Sequence, residues 1–293
     1  MAGMRSTVAV VRGRRAAALI IWAALPVVGA CALAVGEPAF LPVPPRGEVA
    51  VAGRDIRDYP TAIAAVADVF ERELQLPRPD VAVVLFPNRR SFEEGLLTIG
   101  YEPEFARQSA ATFRAIGGAT GVLVNEGALR SARWAERVQL LAHELLHCVQ
   151  YAFANGVRGT SEQWLREGFA EIVSMRTMEH LGLARYSQLR EALLDPLADV
   201  RRGTLPVPLS RLSTFPDWAA AQHRYDLPLY TQAFVAAELL HETYGTDAIL
   251  RYFRLFGTSM DKDANFVEAF GVTLDEFDRE FMARWHLVLS QVG

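Results

Sequence analysis

The stretch QLLAHELLHCVQ, Gln139 to Gln150, decides how this chain is read, because it puts His143, Glu144 and His147 on one continuous helical pattern. Residues four apart stack on the same helix face, so both imidazoles can reach one cation while Glu144, a step round, points at the cation's open side. This is the HExxH arrangement of a zinc hydrolase. Neutral imidazoles are good zinc ligands, and a catalytic zinc takes a third protein ligand while keeping one position for water. The motif therefore demands a partner downstream.

That partner is expected in WLREGFAE, Trp164 to Glu171, where Glu167 completes a set of two His and one Glu. Nineteen residues separate His147 from Glu167. They are enough for the first helix to finish, turn at Asn155-Gly156 and Gly159, and return as a second helix. Gly168 lowers helix propensity by about 1 kcal/mol against Ala, and close packing of this helix on the zinc helix is the expected reason. Glu171, one turn on, shares the face of Glu167 and can accept the free ring N–H of a ligand histidine, fixing its tautomer.

HELLH followed by WLREGFAE resembles the gluzincin metallopeptidases, and the nearest overall likeness is to the bacterial peptidase-MA-like domains, from about Arg57 to the C-terminus. The resemblance implies a zincin-like α+β fold with one Zn2+ per chain held by His143, His147 and Glu167. It also implies an exported metallopeptidase in which Glu144 is the general base that activates a zinc-bound water. A tyrosine opening a later helix donates to the oxyanion in the zinc aminopeptidases, and Tyr230 stands where it would fall; His223 competes, by likeness to thermolysin-like enzymes. The strand before the zinc helix pairs with substrate in this family. By that likeness Gly117 to Asn125 takes the role, with Gly118, Ala119 and Val122 as substrate-binding residues, through β-augmentation.

The aminopeptidases carry Gly-x-Met-x-Asn on that strand, with a glutamate for the substrate's amino terminus. Here the strand reads GGATGVLVNEG, and Glu126 lies too near the zinc helix to match, which argues against that exopeptidase specificity. A reading from another class is a membrane-tethered extracytoplasmic binding or assembly module whose zinc is not catalytic. An intact Glu144 argues against it.

Length and composition fit such an enzyme. With 293 residues, 51% of them hydrophobic, core supply is ample. A formal charge of −4 and the lack of a long basic run beyond the N-terminus argue against nucleic acid as a partner, and the resemblance implies a peptide or protein substrate. Arg5, Arg12, Arg14 and Arg15 form a basic head before the uncharged run 16–36, which reads as an export signal, a lipoprotein signal or a retained anchor to the membrane. Val28-Gly29-Ala30-Cys31 resembles a lipobox, placing a lipid on Cys31 as one alternative. In each case the catalytic part lies outside the cytoplasm. Cys148, pointing about 100° from the metal face, reads as a small buried hydrophobe.

The expected organisation is a leader over 1–36, a linker over 37–55, a catalytic lobe over 56–180 and a helical lobe over 181–293. The catalytic lobe reads as a small mixed sheet with helices, with the zinc site between it and the helical lobe. Thr61 to Leu76 is helical by spacing, VAVVLF over Val81 to Phe86 is a buried strand, Ser91 caps a short helix, and GVLVN is a second strand. Helices follow over Ala132 to Phe153, Trp164 to His180, Tyr186 to Asp199, Tyr230 to Tyr244, Ala248 to Phe256, Asn265 to Phe270 and Leu274 to Leu289. Pro206, Pro208 and Pro216 mark a loop, and His180, His241 and His286 read as structural or surface histidines.

Overall fold

The computed structural model describes residues 37–47, 51–156, 161–201 and 203–292. The leader, the Cys31 lipobox and Gly159 lie outside the described residues. Among the described residues no helix is long and apolar enough to cross a membrane.

The class is α+β, with a small mixed sheet and a majority of helix. Four strands, β1 (Ala39–Pro42), β2 (Ala82–Phe86), β3 (Ala115–Gly118) and β4 (Gly121–Asn125), lie in the order β1-β2-β4-β3. The pairs β1–β2 and β3–β4 are antiparallel and β2–β4 is parallel. Alternation along the strands sorts the core. Val83, Leu85, Val122 and Val124 join the main core with α1 (Tyr59–Arg72), whereas Val84, Phe86 and Leu123 pack with α2 (Arg89–Thr98) and α3 (Pro103–Thr112). Helices therefore cover both faces of the sheet.

The main core continues into α4 (Trp134–Phe153), α5 (Gln163–His180), α6 (Tyr186–Leu194), α7 (Phe215–Arg224), α8 (Leu229–Leu255), α9 (Lys262–Phe270) and α10 (Leu274–Val292). Asp58 caps α1 by accepting from the Thr61 N–H, with Pro60 in the first turn. Asn88, not Ser91, is the N-cap of α2; Ser91 is the N3 member of its capping box.

Two further expectations are corrected. Residues 39–42, read as linker, are an edge strand paired with β2, so proline here ends a strand rather than spacing two bodies. The single strand GVLVN is half of a β3–β4 hairpin, because Gly117, Gly118 and Gly121 disguise the alternation that marks a strand. The two helices read on either side of Gly245 are borne out: α8 breaks at that residue, which takes φ 80° and ψ 170°, outside helical geometry.

Candidate metal centre

Helix α4 presents His143, Glu144 and His147 from one turn, and α5, packed beside it, presents Glu167. One ligand atom from each of His143, His147 and Glu167 falls in a group whose members all lie within 4.8 Å of one another. The His143 Nε2 to Glu167 Oε2 distance is 3.4 Å, and that from His147 Nε2 is 3.6 Å. These separations are long for charge-assisted hydrogen bonds. They match the roughly 3.3–3.5 Å expected between ligands that each stand ~2.0–2.1 Å from a tetrahedral zinc. The donor set, two imidazoles and one carboxylate, fits that metal.

The remaining ring nitrogens are held from behind. Glu171 Oε1 lies 3.2 Å from His143 Nδ1, as the sequence reading expects. Gln150 Oε1, which that reading did not single out, lies 2.9 Å from His147 Nδ1 and accepts its N–H, while Gln150 Nε2 donates to the Arg166 carbonyl. Both contacts fix the tautomer that leaves Nε2 free as a ligand. Gln163 Nε2 donates to Glu167 Oε1 at 2.6 Å, orienting the carboxylate. Burial alone would depress the His143 imidazolium, but the carboxylates of Glu171, Glu167 and Glu144 outweigh it and raise its pKa well above the usual value. Burial would raise the Glu167 carboxyl, yet His147 and His143 hold it far below the ordinary range. Three carboxylates around two imidazoles make the site attractive to a cation.

Glu144 is not part of the triad; its Oε2 accepts the Gly117 N–H of β3 at 2.5 Å. Strand and helix meet closely, for a Cβ on Gly117 would stand 2.2 Å from the Glu144 carbonyl oxygen. Only glycine allows β3 to cross α4 there. Cys148 is buried, its Sγ donates to the Glu144 carbonyl, and burial pushes its thiol up to about 12.

A cleft opens over the triad between β3 and α4 on one side and α7 and α8 on the other. Phe105 of α3, Phe215 and Trp218 of α7, and Tyr230 line it. The chain around Pro216 is thus not only loop: α7 starts there, capped by Thr214, and supplies the aromatic wall. Tyr230 packs edge-on against Trp218 with ring centroids 5.1 Å apart. Burial, then the charges of Glu167, Glu144 and Glu171, raise its pKa, so its hydroxyl stays protonated as a donor. His223 is exposed near the end of α7 and is not among the residues lining the cleft.

The three residues expected to bind substrate separate. Gly118 ends β3 and Ala119 lies in the hairpin turn, both beside a continuation of the cleft that shares Tyr101, Ile116 and Tyr151 with it. Val122 does not fit the role: it is fully buried in β4, opposite Val83 of β2 on one side and Gly117 of β3 on the other. The free edge of the sheet at the cleft is β3. Glu126 is engaged away from the cleft, where Arg137 Nη1 reaches it at 2.7 Å and the Tyr59 hydroxyl donates to it. His180 faces Glu73, and His241 contacts Thr246 Oγ1; neither lines the metal cleft.

Gly168 packs otherwise than expected. A Cβ there would stand 2.1 Å from the Ala233 carbonyl oxygen and 2.7 Å from the Ala237 Cβ, so the close contact is with α8 and not with α4.

No family model matches this chain, and no solved structure matches it. The uncharacterized protein YhcO of Bacillus subtilis (strain 168) is similar to it over 106 residues at 30% identity, a stretch that covers 36% of this chain and 31% of that relative.

Proposed function

We propose that this protein is an extracytoplasmic zinc-dependent peptidase of zincin-like layout, cutting peptide bonds in the cleft between β3 and α7–α8. The observation that carries the proposal is the convergence of His143, His147 and Glu167 with a fourth residue, Glu144, held beside them but outside the ligand set. A structural zinc site has no need of such a carboxylate. A zinc ion held by the triad would supply Lewis acidity, polarising a substrate carbonyl and lowering the pKa of water towards 7.

The chain's own residues do the rest. The Gly117 N–H fixes Glu144 Oε2, leaving Oε1 to take a proton from the attacking water and return it to the leaving amine. The Tyr230 hydroxyl, kept protonated, donates to the oxyanion that develops on the carbonyl oxygen. The edge of β3 offers backbone groups to an extended peptide, and the aromatic wall excludes water and receives an apolar side chain. The basic head and apolar run of the first 36 residues support export, with a cleaved, lipidated or retained leader as the forms it can take.

Glu144→Gln tests the reading, since it keeps shape and metal ligands while removing the base. Zinc content and fold should match wild type, and hydrolysis of a mixed peptide library should fall by ~10⁴, the upper end for general-base catalysis. A variant that cleaves as wild type does would remove Glu144 as the base and place hydrolysis at another site, whereas a wild type that cleaves nothing while both proteins bind a partner equally would replace the enzyme with a binding module.

A further inference from the structure

Arg166 is the residue of the cleft for which the proposed reaction has no task. It precedes Glu167 on α5, is 8% exposed, and lines the cleft together with His143, His147 and Glu167. Arg137 is equally buried, and Glu126 neutralises it at 2.7 Å. Arg166 has no such counter-charge among the described residues. Its contacts are neutral: Nη2 donates to Gln163 Oε1, and Nη1 reaches the Tyr151 hydroxyl at 3.4 Å. Its guanidinium carbon lies 5.6 Å from the centroid of the Tyr151 ring, and Nε has no acceptor.

A buried charge left without a counter-ion is destabilising, and a ligand of opposite charge that reaches it relieves that cost. The guanidinium fork matches a carboxylate in shape and charge better than any other group a peptide offers. Tyr151 adds a hydroxyl, and it lines both the cleft and its continuation along β3. The position is also close to the chemistry. Gln163, which accepts from Arg166, donates to Glu167 Oε1 at 2.6 Å, so one side chain separates the guanidinium from the candidate ligand.

We propose that Arg166 and Tyr151 form a carboxylate-binding subsite beside the metal triad, so that preferred peptides carry a carboxylate near the bond that is cut. That carboxylate is either the peptide's own C-terminus or an Asp or Glu side chain. The proposal rests on the metallopeptidase reading for the word substrate, but the subsite itself can be measured without turnover.

The test uses zinc-loaded, full-length Glu144→Gln protein and four matched acetylated peptides, read by calorimetric titration. One pair differs only in a free acid against an amide at the C-terminus, the other only in an internal Glu against Gln. In at least one pair the carboxylate peptide should bind about tenfold tighter or more, as a charged hydrogen-bonded pair provides, and the pair that discriminates identifies the source. Arg166→Gln should reduce that advantage to about twofold or less, and Arg166→Lys should restore part of it. Equal binding within both pairs overturns the proposal and needs no Arg166 variant. Discrimination that survives Arg166→Gln in folded protein overturns it as well. Failure of the peptidase reading looks different: wild type cleaves none of the four, while discrimination through Arg166 persists.

Discussion

Gly168→Ala puts the packing of the two helices behind the site under direct test. On propensity alone, alanine in mid-helix should stabilise α5 by about 1 kcal/mol. The added Cβ would stand 2.1 Å from the Ala233 carbonyl oxygen and 2.6 Å from its carbon, both backbone atoms of α8. Ordinary contact needs roughly 1 Å more, and neither helix can yield that by turning a side chain. Overpacking of this kind costs ~1–3 kcal/mol and here falls at or beyond the upper end, because backbone meets backbone. After the propensity gain, the net loss should be about 2 kcal/mol. For a chain of this size that lowers Tm by about 4–8 °C. Tyr230 stands one turn before Ala233 on α8, so the same shift should move the donor hydroxyl and reduce kcat with zinc content unchanged. Thermal and urea unfolding followed by circular dichroism, with zinc counted in the folded protein, would measure both effects. A variant more stable than wild type by the propensity term would refute the close crossing of α5 on α8.

The metal ligands and their supports give separable outcomes. Glu167→Ala should lose most of its zinc on dialysis, and full retention would remove Glu167 from the ligand set. Gln150→Ala keeps all three ligands and frees only the His147 ring, so it should weaken zinc affinity by ~10–100-fold in competition with a chelator. Tyr230→Phe should lower kcat with little change in KM, by about 10²-fold for loss of one oxyanion donor. An unchanged rate would leave the oxyanion to another group.

The metal triad was legible because helical periodicity and zinc chemistry constrain the same residues. His143 and His147 follow from a four-residue step, and Glu167 follows from the need for a third ligand on the returning helix. Gln150 and Gln163 were within reach of the same argument, at three residues from His147 and four from Glu167, but amides carry no metal signature. The aromatic wall was not legible, since Phe105, Phe215 and Trp218 come from separate helices and only the fold brings them together. Helix α3, PEFARQSAAT, buries little beyond Ala106, Ser109 and Ala110, and so lacks the apolar stripe that marks a helix. Gly168 announced a close approach but not its partner, because a helix has neighbours on several sides and propensity does not say which one is near.

Under the proposed pairing of a peptide with β3, the hairpin edge also limits how that peptide could move. The Asn125 N–H donates to the Arg114 carbonyl, so antiparallel alternation turns Arg114, Ile116 and Gly118 towards β4, and Ala115 and Gly117 outward. The Gly117 N–H is already committed to Glu144. A chain laid on β3 thus finds the N–H and carbonyl of Ala115 and the carbonyl of Gly117. Sliding by one residue would oppose like groups, so the allowed stride is two residues, about 6.8 Å. Successive cuts along one bound strand would then fall an even number of residues apart, a ladder visible in the masses of the fragments.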